Sequence, residues 1–252
     1  MDLITDGIIF RQVKATGGRR MILLFTKKYG KISVGTSLSE KGKNRASLAL
    51  RPFTFGSYQI YQGRNYYNLD RAETVKSFYG IGEDPDKYMS ASYVLELTER
   101  VVPEEVPQPQ IFQLLVTFME ELSERPKKPE TLVLAYEVKL LRALGVLPAF
   151  HGCERCGAQE ELTSFSIPDA GMLCRSCRKK IPPGQQDALI YDVNFGIVDI
   201  IQYFADKPLS GFRGIALEPQ TAQQLQKILR DYFSYHLDVG ELKSEQLLLG
   251  QY

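Results

Sequence analysis

The chain has 252 residues, of which 44% are apolar and 24% charged, an ordinary globular balance that excludes a disordered, collagen-like or coiled-coil protein. No apolar run approaches the ~20 residues of a membrane span, and residues 1–6 lack the basic and apolar regions of a secretory signal, so a cytoplasmic protein is expected. The formal charge of +1 hides an asymmetry: residues 1–71 hold 13 Lys+Arg against 4 Asp+Glu, the rest 18 against 26, and so basic a first part predicts a polyanion site there.

In chain order, residues 1–70 read as short strands. Residues 3–10 form an extended apolar start, residues 21–26 an apolar run of strand length, and Ile32-Ser33-Val34 alternates with period two. Gly17-Gly18 and Tyr29-Gly30 punctuate these runs as turns. Residues 47–62 and 65–69 carry Phe53, Phe55, Tyr58, Ile60, Tyr61, Tyr66 and Tyr67, which favour strands. About five short strands without a strong helix predict a small Greek-key barrel of the OB type.

Cations and aromatics interleave in this module, the pattern of a groove that holds phosphates while rings stack on unpaired bases. The sharpest cluster is Lys27-Lys28-Tyr29-Gly30-Lys31, in an expected tight turn, and the second is Lys41-Gly42-Lys43-Asn44-Arg45, in an expected loop. Lys27, Lys28, Lys31, Lys41, Lys43, Arg45 and Arg51 are the expected backbone contacts and Tyr29 the expected stacking ring. Phe10, Phe25 and Phe53, with apolar neighbours, are expected in the core.

From about residue 71 the pattern becomes helical. A helix is expected over residues 84–102, and prolines at 103, 107 and 109 separate it from an amphipathic one in which Ile111, Leu114, Leu115, Phe118 and Leu122 share a face. Residues 130–144 are apolar nearly all round, which predicts a buried helix ended by Gly145. Two more helices are expected over residues 186–205 and 221–237, the latter burying Leu225, Ile228, Leu229 and Tyr232 and placing His236 in or beside the core.

The four cysteines, Cys153, Cys156, Cys174 and Cys177, are spaced C-x2-C-x17-C-x2-C, which predicts one structural, tetrahedral Zn2+ per chain. Two residues between ligands let one turn present two sulfurs to a single ion. Four thiolates on Zn2+ leave a formal charge of −2, and Arg155, Arg175, Arg178, Lys179 and Lys180 stand near enough in sequence to offset it. With four sulfur ligands the coordination sphere is full, so His151 is expected not to ligate. The P-loop, dinucleotide, G-x-S-x-G and H-E-x-x-H patterns are all absent. The chain therefore reads as non-enzymatic.

Several segments together resemble the RecO family of bacterial recombination mediators: residues 23–34 (LLFTKKYGKISV), 46–53 ending in Leu50-Arg51-Pro52-Phe53, 140–148 (LLRALGVLP), 153–157 and 165–177. The resemblance implies an α+β multidomain protein: an OB-fold DNA-binding domain over residues 1–80, then a helical domain over 81–150 and 183–252 that carries a four-cysteine zinc-binding insert over 151–182. It also implies binding of single- and double-stranded DNA, annealing of complementary strands and association with RecR. Contact with the acidic, apolar tail of the single-strand binding protein and loading of RecA are implied as well. Lys139 and Arg142, flanking the apolar central helix, are the expected rim of a groove for that tail. The chain departs from relatives at Thr16-Gly17-Gly18-Arg19-Arg20, where many have an acidic residue after a Tyr-Gly turn. The alternatives are an RNA-binding or translation-associated factor with an OB barrel and zinc ribbon, and a scaffold whose basic end only solubilises it.

Overall fold

The computed structural model describes all residues except 15–19, 39–44, 183, 185–186, 194 and 246–252. The chain divides into two compact units, one made of residues 1–129 rejoined by the stretch from Glu241, the other of residues 130–240.

In the first unit, β1 (Asp2–Lys14), β2 (Arg20–Thr26), β3 (Gly30–Thr36), β4 (Thr54–Gln62) and β5 (Tyr67–Ser77) close into a barrel in the order β1-β2-β3-β5-β4. All pairings are antiparallel except β3 with β5, which is parallel and confined to Val34–Tyr67 and Gly35–Asn68. A short helix, α1 (Arg45–Ala49), lies between β3 and β4. This is the OB arrangement that the strand runs predicted.

Alternation explains the core. In β4, Tyr58 and Ile60 point in while Gln59 and Tyr61 point out. Tyr58, completely buried, donates its hydroxyl to the Ala49 carbonyl at 2.8 Å, so α1 is tied to the barrel by the one polar atom that ring carries. Gly56 leaves room for the same ring: a Cβ there would lie 2.9 Å from the Tyr58 hydroxyl.

Two helices belong with the barrel, α2 (Pro85–Val101) and α3 (Pro109–Glu124). Asp84 caps α2, accepting from the Asp86 and Lys87 amides at 2.9 and 3.2 Å. Aromatic contacts fix both helices. Tyr88 of α2 meets Phe53 edge-on at 5.5 Å, and Phe112 of α3 meets Phe25 at 5.5 Å and Phe55 at 6.1 Å. Both helices thus pack on the barrel, α2 through Phe53 and α3 through Phe25 and Phe55.

The second unit opens with α4 (Glu130–Ala143), buried on nearly every side. Gly145, at φ +75°, ends it: its amide and that of Val146 return to Arg142 and Leu141 at 3.0 Å each. The cysteine segment follows as a four-stranded sheet in the order β6-β8-β7-β9, with β6 (Ala149–Cys153), β7 (Leu162–Ser166), β8 (Gly171–Cys174) and β9 (Ile190–Asp192). A single-turn helix, α5 (Arg175–Arg178), follows β8, and α6 (Phe195–Asp206) and α7 (Pro219–Leu237) complete the unit. The helix expected over residues 186–205 starts only at Phe195, because residues 190–192 instead add to the sheet through Phe165–Tyr191 pairing. His236 is half-buried, with Nε2 at 2.7 Å from the Ile167 carbonyl and its ring 4.3 Å from that of Tyr232.

Candidate metal centre and nucleic-acid interface

The cysteine centre is built by two knuckles. Cys153 ends β6 and the chain turns back at Gly157, at φ +75°, so that the Gly157 amide reaches the Cys153 carbonyl at 2.8 Å. Cys174 ends β8 and caps α5, its sulfur accepting from the Cys177 amide at 3.5 Å. All four sulfurs lie within 4.8 Å of one another, Cys156 and Cys174 at 3.7 Å. A tetrahedron of thiolates on Zn2+ with bonds of ~2.3 Å has edges of ~3.8 Å, so the set fits a thiophilic ion of that size. Cys153, Cys174 and Cys177 are buried and Cys156 is exposed. Leu173, Ile181 and Ile190 pack around them. His151 is exposed and outside the cluster.

Polar groups around the knuckles are tied to one another. Arg155 places Nε and Nη2 on the two carboxylate oxygens of Asp169 at 3.0 and 3.1 Å, and Asp169 accepts from the Ser166 hydroxyl at 2.5 Å. Burial would raise the Asp169 carboxyl, but these hydrogen bonds and the Arg155 charge outweigh it and hold it below its ordinary value. The bonds to Asp169 also raise the Arg155 guanidinium, with Cys177 and Cys153 adding to the effect through their charge. Of the other cations expected to offset the thiolates, Arg175 stands 3.6 Å from Glu161 and Arg178 3.9 Å from Asp192.

The basic clusters fare unequally. In the β2–β3 turn, Thr26 Oγ1 accepts from the Tyr29 amide at 2.9 Å and donates to the Gly30 carbonyl at 2.9 Å. Gly30, at φ +72°, lies where a Cβ would be 2.3 Å from the Val106 carbonyl oxygen. Lys27 projects from this turn, exposed and without a side-chain partner among the described residues. Lys28 is exposed but donates to the Ile4 carbonyl at 3.1 Å. Lys31 donates to the Glu99 carbonyl at 2.8 Å, in the last turn of α2, where a helix end favours a cation. Tyr29, the expected stacking ring, is half-buried against the barrel core. Arg51 is half-buried after α1. Lys41 and Lys43 lie outside the described residues, as does the side chain of Arg45.

Lys139 and Arg142 are brought together, at the end of α6. Both donate to the Ala205 carbonyl, at 3.2 and 2.7 Å, and Arg142 also pairs with Asp206 at 2.8 Å. Burial, then the neighbouring Arg142 charge, lower the Lys139 ammonium.

Two exposed tyrosines are not among the contacts expected from sequence. Tyr61 and Tyr66 flank the β4–β5 loop, 41% and 60% exposed, with ring centroids 6.4 Å apart. The signal for Tyr61 was present in the alternation that buries Tyr58 and Ile60.

The comparisons with known proteins agree along the chain. Residues 1–78 match the family model Recombination protein O N terminal and residues 82–246 match Recombination protein O C terminal. A protein of Alkaliphilus metalliredigens is 27% identical over 235 residues, covering 93% of each chain. One of Exiguobacterium sibiricum is 28% identical over 243 residues (96% of this chain, 94% of the relative). One of Bacillus subtilis is 27% identical over 247 residues (96% and 92%). Each relative is named DNA repair protein RecO.

Proposed function

The chain belongs to the recombination protein O family, and from that premise we propose that it is a non-enzymatic, DNA-binding mediator of recombinational repair. It binds single- and double-stranded DNA and anneals complementary strands in the bacterial cytoplasm, at the nucleoid. With RecR it helps load RecA onto DNA covered by single-strand binding protein. The cationic barrel carries this proposal: the +9 balance of residues 1–71 belongs to a fold whose surface suits extended strands. Neutralising phosphates on two strands lets them approach, so annealing follows without nucleotide hydrolysis.

The ion of the cysteine centre is zinc, one per chain. Four thiolates leave no open position, so the ion supplies cross-linking of two knuckles rather than chemistry on a substrate. Cys153, Cys156, Cys174 and Cys177 hold it, and Arg155 and Asp169 orient the first knuckle.

The test is annealing of complementary oligonucleotides by the full chain at several salt concentrations without ATP, with single-stranded RNA as competitor. Annealing that needs ATP, or RNA preferred over DNA, would overturn the proposal.

A further inference from the structure

Loop β4–β5 carries an ordered aromatic feature that no expected contact uses. The Gln62 amide donates to the Met1 carbonyl at 2.8 Å, the Gly63 amide donates to the Tyr66 carbonyl at 2.9 Å, and Gln62 Nε2 donates to the Tyr67 hydroxyl at 3.3 Å. Tyr66 then lies back over Gly63, where an added Cβ would be 2.5 Å from its ring. The closed loop thus holds Tyr66 toward solvent beside Tyr61 at the end of β4, and these two exposed rings stand as a pair.

The rings are 6.4 Å apart and inclined at 45°. A base clamped flat between two rings needs about 7 Å, two contact layers, and parallel planes. The pair is too close and too tilted for that, but the outward face of each ring remains open to one base. Arg64, at the loop tip, is exposed and without a side-chain partner among the described residues.

Topology places a second cationic turn at the same end of the barrel. Lys28 bonds to Ile4 and Gln62 to Met1, so the β2–β3 turn and the β4–β5 loop flank the start of β1. A 470 Å³ cleft beside the loop is lined by Lys31, Arg64 and Tyr66 together with Glu104 and Glu105, and the two carboxylates disfavour phosphate beside the Tyr66 ring while leaving an uncharged base free to approach it. A strand crossing this end therefore has its backbone drawn to Lys27, Lys28 and Arg64 and its bases turned to the tyrosines.

We propose that Tyr61 and Tyr66 are a preformed platform on which two unpaired bases of a single strand stack, and that this platform separates single-stranded from duplex DNA. Bases in a duplex are already stacked on one another and offer no free face, whereas phosphate contacts treat both forms alike. The inference rests on the DNA-binding reading above.

The chain contains no tryptophan, so Tyr66→Trp creates a sole tryptophan reporter, excited selectively at wavelengths where tyrosine does not absorb. A single-stranded thymidine oligonucleotide should quench it and a fully paired duplex of equal length should not. In parallel, Tyr61→Ala/Tyr66→Ala should lose single-strand affinity by at least about fivefold per ring. Its duplex affinity and salt slope should stay unchanged, and Tyr66→Phe should retain binding. Gly63→Ala, which displaces the ring without removing it, should lose part of the same affinity. Wild-type binding of the single strand with neither quenching nor loss in the double variant would overturn the platform alone. Wild-type protein that binds neither DNA form would overturn the DNA-binding reading itself.

Discussion

Arg155 and Asp169 face each other through two parallel hydrogen bonds, 3.0 and 3.1 Å long, joining the first cysteine knuckle to the turn that leads into β8. Bidentate geometry fixes both planes at once. Removing either partner should leave the four sulfurs present but poorly aimed. Arg155→Ala is expected to lower metal affinity about 10–100-fold, in the manner of other groups that orient ligands. Competition with a chelator measures this, and unchanged affinity would mark the pair as surface ornament.

Loss of a sulfur should be more severe and equally local. Cys153→Ser, or exhaustive chelation, is expected to release the ion and loosen β6–β9, since the small core there consists of Cys153, Cys174 and Cys177 with Leu173, Ile181 and Ile190. The barrel draws its core from Leu3 through Ala72 and should keep its amide protection. Elemental analysis alongside hydrogen exchange checks both halves, and metal-free protein with a fully protected sheet would contradict it.

Acid should release the stretch that rejoins the first unit. Glu96 accepts from the Lys243 amide at 3.2 Å and from the Ser244 amide and hydroxyl at 2.9 and 2.6 Å. Burial would raise its carboxyl, but those bonds and the Arg100 charge outweigh it, leaving it below the ordinary 4.5. A depressed carboxyl contributes stability that is complete above its unfolded value and lost as pH falls through its folded value. Protection of the Lys243 and Ser244 amides should therefore hold at neutral pH and fall in the acid range below 4.5. Glu96→Gln should abolish that titration.

Phosphate contacts should show in the salt dependence. If Lys27 and Lys28 each neutralise one phosphate, replacing both by Ala should flatten the slope of log K against log[salt] by roughly 1.4 on single strands. All sequences should weaken alike, because phosphates carry no base information. Fluorescence anisotropy over a salt series reads the slope. An unchanged slope would exclude the β2–β3 turn.

Much of this was legible in the sequence where a signal repeats. Alternation in β4, the all-round apolarity of residues 130–143 and the cysteine spacing each repeat a physical requirement, and each appears in the structure. What could not be read depends on a partner far along the chain. Lys31 looks like a phosphate contact beside Lys27 and Lys28, but it is taken by the end of α2, 68 residues away. Tyr29 stands among lysines, but its ring turns back to the barrel core. Lys139 and Arg142 are expected from sequence to rim a groove, and that both also donate to the Ala205 carbonyl depends on α6 ending beside them. The sheet of β6–β9 has strands of three to five residues, too short for any period to show.

The carboxylate of Glu96 has a consequence for how the protein is made. Its partners, Lys243 and Ser244, leave the ribosome only after the whole of residues 130–240, while the barrel strands emerge before that unit. Vectorial folding can thus form the barrel early, yet the helix packed on it waits for these partners until residues 243 and 244 have emerged. A chain stalled or cleaved anywhere in the second unit would present a barrel with Glu96 unlatched.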